Sequence, residues 1–138
     1  EFLGEYNGFT LADDYAHHPT EIDATLKAAK ELNYNRVIAV FQPFTFSRTA
    51  LLKDDFIKAL SVADKVILTP IMGSREVNTY DIHSEDLVAE LKDAVIVDGF
   101  ENIADYIIET ADVGDLVITM GGGDIYKAAH IVEEKLGK

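Results

Sequence analysis

The chain carries a short segment that is dense in side chains able to bind ligands or move protons, Asp13-Asp14-Tyr15-Ala16-His17-His18-Pro19. An ionised carboxylate accepts hydrogen bonds and can bind ribose hydroxyls. An imidazole can bind a substrate, transfer a proton or ligate a metal ion. Taken singly, these residues also have structural explanations, because an aspartate before a helix is a common cap and one histidine can be buried and satisfied. Together they make residues 13–19 a candidate ligand-binding loop.

A second candidate loop, residues 43–48, follows an apolar run and ends at Arg48. A guanidinium can hold a carboxylate through two parallel hydrogen bonds. The alternative is a solvated arginine at the start of a helix, although a cation gains nothing from that end of the helix dipole. Arg48 is therefore a candidate for binding the carboxylate of a small molecule.

A third candidate loop contains three consecutive glycines and an acid, Gly121-Gly122-Gly123-Asp124. Glycines allow the backbone to approach a ligand closely, and their N–H groups can face phosphate or carboxylate oxygens. The segment matches neither the dinucleotide-binding fingerprint nor the P-loop. The simpler interpretation is a tight turn that Asp124 caps.

The elements that position these loops alternate along the chain. Apolar runs predict strands at 9–12, 36–42, 65–70, 94–97 and 115–120. Helical spacing of apolar residues predicts helices at 19–32, 49–61, 84–91, 100–110 and 125–136, with Ser84 as one cap. Residues 72–83 have no period and predict a long loop.

This alternation is typical of an α/β fold. We expect a three-layer, Rossmann-like domain with a mostly parallel sheet of roughly six strands and helices on both faces. In such sheets, ligands bind beyond the carboxyl ends of the strands, and all three candidate loops fall there. The length of 138 residues fits a single domain spanning residues 1–138.

Composition restricts the partners. A net charge of −13 argues against nucleic acid or an anionic membrane. Cysteine is absent, which excludes disulfides and thiolate metal sites and is compatible with a reducing cytoplasm. No apolar run approaches the roughly 20 residues that a membrane-spanning helix needs.

Three segments resemble one known family. Residues 13–22, Asp-Asp-Tyr-Ala-His-His-Pro-Thr-Glu-Ile, resemble the start of the carboxy-terminal domain of Mur ligases, and the double histidine followed by Pro-Thr-Glu is typical of the L-alanine-adding members. Residues 41–49 and 121–125 resemble two later segments of that domain, in the same order. The resemblance implies that Asp14 approaches the ribose of ATP, and that Tyr15, His17 and Arg48 lie near the incoming L-alanine.

The chain departs from the family pattern at two positions of the second loop. Phe44 stands where the family usually has histidine, and Thr45 stands where some members have arginine. A phenyl ring neither donates a hydrogen bond nor carries charge, so any polar role at position 44 is lost. A weaker resemblance covers Gly73-Ser74-Arg75-Glu76, where Arg75 is more simply a surface residue.

The resemblance also implies a function. Mur ligases of this branch use ATP to activate the carboxylate of UDP-N-acetylmuramate, which L-alanine then attacks. The phosphate-binding loop and the Mg²⁺ ligands belong to a central domain, and the UDP-sugar site belongs to an amino-terminal one. We therefore expect this chain to be one domain of a longer three-domain cytoplasmic enzyme in cell-wall synthesis, without ligase activity on its own.

Two other functions remain open from the residues alone. One is a stand-alone Rossmann-like nucleotide-binding module, against which the missing dinucleotide fingerprint argues. The other is a metal-dependent hydrolase that uses five acidic and imidazole side chains, namely Asp13, Asp14, His17, His18 and His83.

Overall fold

The computed structural model describes residues 1–137 and contains one six-stranded sheet in the order β1-β2-β6-β3-β4-β5. Its strands are β1 (Phe2–Tyr6), β2 (Phe9–Asp14), β3 (Val37–Phe41), β4 (Lys65–Leu68), β5 (Ala94–Ile96) and β6 (Leu116–Met120). β1 pairs antiparallel with β2, and every other pairing is parallel. The mostly parallel α/β sheet expected from the sequence is confirmed.

β1 is the strand that the apolar pattern did not predict. It forms a hairpin with β2 through Asn7 and Gly8, which both have positive φ, at 51° and 87°. Asn-Gly flanked by apolar residues is a strong hairpin signal, because both residues tolerate this conformation. The signal was therefore present in the sequence, and only the alternating, half-exposed composition of β1 concealed it.

The helices are α1 (Pro19–Lys30), α2 (Phe46–Leu51), α3 (Lys53–Leu60), α4 (Ser84–Val88), α5 (Phe100–Thr110) and α6 (Tyr126–Leu136). The single helix predicted at 49–61 is wrong, because the chain breaks at Leu52 (φ −107°) into α2 and α3. α2 also begins earlier than predicted, since the Thr45 hydroxyl accepts a hydrogen bond from the Arg48 N–H at 3.3 Å. Arg48 thus lies in the first turn of a helix and not in a loop.

Ser84 was predicted to cap α4, and this is wrong. Its buried hydroxyl instead donates to the carbonyl of Thr69 at 2.6 Å, which joins the helix to the end of β4. The capping residue is His83, whose N–H donates to the carboxylate of Asp86 at 2.8 Å.

Apolar side chains fill both faces of the sheet, as expected for a three-layer fold. β3 is buried at all five positions and sends alternate residues to opposite faces. Phe41 packs with Phe56 of α3 on the face that α1, α3 and α4 cover, with ring centroids 5.5 Å apart. Val40 packs in the core beneath α5 and α6.

The strand order places the ends of β2, β6 and β3 side by side. α1 follows β2 and covers one face, whereas α6 follows β6 and covers the other. After β2 and after β6 the chain therefore continues toward opposite faces of the sheet, which opens a crevice beyond the carboxyl ends of these two strands. No helix within residues 1–137 is both long enough and apolar enough to cross a membrane.

Candidate functional site

The three candidate loops converge at this crevice. A cavity of about 260 Å³ is lined by residues from all three loops, which are Tyr15, His17, Phe44, Arg48 and Gly122. The structure therefore brings together Tyr15, His17 and Arg48, the three residues expected near an amino acid, with Gly122 from the glycine loop and with Phe44. Asp14 and Asp124 do not line this cavity.

The first loop takes its shape from the start of α1. His18 caps the helix, because its Nδ1 accepts a hydrogen bond from the Thr20 N–H at 3.2 Å. The Glu21 carboxylate accepts from the N–H groups of His17 and His18, each at 3.2 Å. These backbone hydrogen bonds lower the pKa of Glu21, so the carboxylate stays ionised and holds the loop in place.

The His17 ring is oriented by two acceptors. Its Nδ1 lies 3.1 Å from the carbonyl oxygen of Tyr15 and 3.4 Å from the carboxylate of Glu21. Because both neighbours only accept hydrogen bonds, we assign the proton to Nδ1. Nε2 is then an acceptor, and it has no partner within residues 1–137. The ring also meets Tyr15 edge to face, with centroids 5.5 Å apart.

Tyr15 stands at the rim of the cavity with 70% of its surface exposed. Its position beside His17 makes it a wall that a ligand in the cavity would meet.

Arg48 is the cation of the site. Its backbone N–H bonds to Thr45, but its guanidinium has no hydrogen bond or ion pair in the part of the chain that the structure describes. A guanidinium that lines the cavity without a protein partner is suited to bind a carboxylate or phosphate ligand.

Phe44 forms an apolar wall opposite the histidine. Backbone hydrogen bonds tie its neighbours to Met72, with Met72 N–H donating to Pro43 at 2.9 Å and Thr45 N–H donating to Met72 at 2.8 Å. The ring is thereby held against the glycine loop, where a β-carbon added to Gly123 would lie 3.5 Å from Phe44 Cδ1. Thr45, at a positive φ of 66°, serves as the cap of α2.

The glycine loop leaves little room for a side chain at its first position. At Gly121, with φ of 152°, an added β-carbon would lie 3.1 Å from Ile125 Cγ2. The N–H groups of Gly122, Gly123 and Asp124 have no hydrogen-bond partner within residues 1–137. They are therefore free to bind a ligand.

A tight turn capped by the Asp124 side chain was the simpler interpretation of this segment, and the structure does not support it. The residue at the N-cap of α6 is Ile125, without any side-chain cap. The Asp124 side chain points to Lys127 at 3.5 Å, and its carbonyl accepts from the Lys127 N–H at 2.9 Å.

Asp14 lies on a neighbouring apolar groove of about 420 Å³ between the sheet and α1. Its carboxylate accepts from the Ala16 N–H at 2.8 Å and from the Thr25 hydroxyl at 3.4 Å. Two carboxylate oxygens offer about four acceptor positions, so Asp14 retains capacity for ribose hydroxyls. Asp13 instead accepts from the buried Thr119 hydroxyl at 2.6 Å, which is a structural role.

The side chains considered for a metal-dependent hydrolase do not form a group of metal ligands within residues 1–137. Within residues 1–137, no three or more His, Asp or Glu side chains are grouped so that they could hold a metal ion. His18 caps α1, and His83 lies on a distant loop where its Nε2 contacts Asp81 at 3.1 Å.

The segment 73–76 contributes through its acid and not through Arg75. Glu76 accepts hydrogen bonds from both the N–H and the hydroxyl of Ser47, which joins the long loop to the start of α2. The bond from the Ser47 hydroxyl is the main reason that the pKa of Glu76 is lowered.

Sequence analysis missed Gln42. Its side chain is only 4% exposed, and its amide oxygen is buried without a hydrogen-bond partner within residues 1–137. One signal was available, because Gln42 is a polar residue directly after a fully apolar strand, at the end where ligands bind.

Known proteins share both sequence and fold with the chain. Residues 1–123 match the family model described as Mur ligase, glutamate ligase domain. The chain is 48% identical over 139 residues to the UDP-N-acetylmuramate–L-alanine ligase of Caldicellulosiruptor saccharolyticus, covering 98% of this chain and 30% of that protein. It is 52% identical over 134 residues to the ligase of the same name from Lachnospira eligens, covering 94% and 29%. The chain thus spans about 30% of the length of these relatives.

Solved structures agree. The UDP-N-acetylmuramate–alanine ligase of Thermotoga maritima superposes with a TM-score of 0.70 at 27% identity, covering 94% of this chain and 27% of that one. A separately crystallised domain from Haemophilus ducreyi gives 0.74 at 24% identity and is covered to 97%. A folylpolyglutamate/dihydrofolate synthase of Yersinia pestis, solved with AMPPNP and a manganese ion, gives 0.69 at 20% identity, covering 98% and 30%. On the family match and the identities to the two relatives, the chain belongs to the Mur ligase family.

Proposed function

We propose that the chain is the carboxy-terminal domain of a three-domain, ATP-dependent ligase that joins L-alanine to UDP-N-acetylmuramate in peptidoglycan synthesis. The observation that carries the proposal is the cavity where an unpaired Arg48 faces an aromatic wall and a glycine backbone. Two relatives close to half identical in sequence bear the name of this ligase. The absence of cysteine is compatible with a cytoplasmic enzyme.

The cavity suits a small α-amino acid. Arg48 can hold its carboxylate through two hydrogen bonds, which a lysine could not do with the same geometry. Tyr15 and Phe44 offer apolar surface to a short side chain. Nε2 of His17 is an acceptor and can receive a hydrogen bond from the amino group.

The nucleotide would meet the same end of the sheet. Asp14 has acceptor capacity for the ribose, and the free N–H groups of Gly122, Gly123 and Asp124 can donate to anionic oxygens. ATP supplies the phosphoryl group that activates the muramate carboxylate. No acidic cluster for Mg²⁺ occurs within residues 1–137, so the proposal assigns the metal ligands to the central domain. The synthase of similar fold that was solved with AMPPNP and manganese is in keeping with the use of a nucleotide and a divalent metal ion.

In this scheme, the domain binds and orients, and it does not carry out phosphoryl transfer. Arg48 fixes the carboxylate of L-alanine, so that the position of the amino group is set relative to His17. Such positioning accounts for much of the rate acceleration in reactions between two bound molecules. The domain alone is expected to be inactive because it lacks a phosphate-binding loop with its lysine.

A titration of the isotopically labelled chain with L-alanine tests the proposal. We expect amide shifts concentrated at residues 15–17, 44–48 and 121–124. Arg48→Met should abolish them, whereas Arg75→Met, an exposed arginine outside the cavity, should not. Equal shifts in both variants, or shifts confined to another surface, would refute the assignment of the cavity.

A further inference from the structure

The side chain of Gln42 lies directly beneath the glycine loop. It follows β3 beside Gly121, since Phe41 pairs with Met120 at the preceding position. A β-carbon added to Gly123 would lie only 2.8 Å from Gln42 Oε1, and one added to Gly121 would lie 3.4 Å from the Gln42 carbonyl oxygen. The carboxamide and the loop are therefore in contact.

Groups without a protein partner among the described residues lie on both sides of this contact, and the glycine-loop residues 122–124 are not buried. Gln42 Oε1 is a buried acceptor without a donor, and the neighbouring N–H groups of Gly122, Gly123 and Asp124 are donors without an acceptor within residues 1–137. A buried acceptor left unsatisfied costs about 1–3 kcal/mol. An apolar residue of similar size would avoid this cost, so the amide suits a state in which Oε1 is bonded.

The backbone allows such a state. The loop consists of three glycines, whose φ and ψ angles have the widest range of any residue. A local rotation of the peptide before Gly123 or Asp124 would bring an N–H group onto Oε1 without moving β3 or β6. The remaining N–H groups would then keep one fixed direction relative to the cavity.

We propose that Gln42 is a positioning residue for the glycine loop: in a docked conformation, Oε1 accepts a hydrogen bond from Gly123 or Asp124 and thereby aims the other loop N–H groups at the ligand. The inference rests on the proposed function, because it takes the cavity beside Gly122 as the ligand site. Gln42 does not line that cavity and acts only through the loop.

Amide hydrogen exchange of the chain, without any ligand, tests the docked conformation. We expect one amide among Gly122, Gly123 and Asp124 to exchange at least tenfold more slowly than an open loop amide. Gln42→Met, which keeps the length and removes the acceptor, should abolish this protection and leave the amides of β3 and β6 as protected as before. Gln42→Glu keeps an acceptor oxygen at the same place and should restore it.

Gly123→Ala is a second way to remove the protection while Gln42 is intact, because its β-carbon would displace the loop from Gln42 Oε1. Thr69→Val is the matched control, since Thr69 is equally buried just after the next strand and its hydroxyl donates only to the carbonyl of Pro70 among the described residues. It should leave the protection of the glycine-loop amides unchanged. Loop amides that exchange alike in the parent and Gln42→Met would overturn the inference.

Kinetic measurements on the complete enzyme distinguish this inference from the proposed function. In the complete enzyme, Gln42→Met should raise the KM for L-alanine about tenfold, while the melting temperature stays level or rises. An unchanged KM together with a lower melting temperature would overturn the inference and leave Gln42 a structural residue. If the parent does not ligate L-alanine at all, the proposed function fails, whereas the exchange result still decides the role of Gln42.

Discussion

The imidazole of His17 packs against the backbone of Gly122, where an added β-carbon would lie 3.5 Å from His17 Cγ. The two residues lie just beyond the ends of adjacent parallel strands, because β2 and β6 pair from Thr10–Leu116 to Asp14–Met120. A contact between residues far apart in sequence thus forms one wall of the cavity.

Gly122→Ala should preserve the fold but weaken ligand binding. The added methyl group would make only ordinary van der Waals contact with His17, and Gly122 lacks the positive φ that would strain an alanine. The methyl group would, however, occupy the cavity. We expect an unchanged melting temperature and a roughly tenfold weaker affinity for L-alanine, a loss of about 1.4 kcal/mol.

Gly121→Ala is the matched comparison and should behave in the opposite way. Its φ of 152° and the 3.1 Å approach to Ile125 Cγ2 predict destabilisation. Strain of this kind costs about 1–3 kcal/mol, which chemical denaturation would detect. If Gly122→Ala destabilised the chain as much as Gly121→Ala, the cavity would not be the reason for glycine at position 122.

Arg48→Lys should impair amino-acid use without affecting stability. The guanidinium makes no contact within residues 1–137 that folding would lose, but a lysine cannot form the paired hydrogen bonds to a carboxylate. We expect the KM for L-alanine in the complete enzyme to rise at least tenfold with the KM for ATP unchanged. A parallel rise in both KM values would argue that Arg48 binds the nucleotide instead.

Phe44→His tests the departure from the family pattern. The backbone at this position is fixed by Met72, so the new ring should occupy the same wall and present a hydrogen-bond donor to the cavity. We expect the rate at limiting L-alanine to rise several-fold, and Phe44→Leu to serve as the apolar control. A slower rate with histidine would show that the apolar wall is required.

Asp64 should make the stability depend on acid pH. Burial raises its pKa, but the bonds from Lys30 Nζ at 2.8 Å and from the Val37 N–H at 2.7 Å outweigh burial and lower the pKa below 3.8. A lowered folded-state pKa stabilises the chain above the unfolded value, and this stabilisation is lost as the pH falls through the folded value.

Asp64→Asn should therefore lower the melting temperature near neutral pH by about 1–4 °C, since the pair is partly exposed. Its melting temperature should also fall less steeply than that of the parent below about pH 4. Glu109→Gln is a suitable control, because Glu109 is exposed and has no ion pair among the described residues. Parallel pH curves for the parent and Asp64→Asn would contradict the assignment.

Periodicity predicted most of the fold because β3, β4 and β6 are buried at every position and consist almost wholly of apolar residues, and such runs occur in parallel sheets covered on both faces. It missed β1, an edge strand with mixed exposure. It also merged α2 with α3, because the break at Leu52 is a backbone angle without a Gly or Pro to mark it.

The candidate site was partly predictable for a similar reason. Strand ends are visible in the sequence, so Tyr15, His17 and Arg48 could be placed at one edge of the sheet. Side-chain direction is not visible, and Asp124 therefore turned out to face Lys127 instead of the cavity. The missing hydrogen-bond partner of Gln42 Oε1 could not be predicted from a sequence pattern, because it depends on the path of the glycine loop, about 80 residues further along the chain.

The most direct measurement is ADP release by the complete enzyme that carries this domain, with ATP, UDP-N-acetylmuramate and L-alanine present or omitted in turn, beside residues 1–138 alone. In the complete enzyme, ADP release is predicted to require both co-substrates and, in Arg48→Met, to need a much higher concentration of L-alanine. The isolated domain is predicted to release no ADP. Release by the isolated domain that depends on both co-substrates, or a complete enzyme indifferent to L-alanine, would contradict this account.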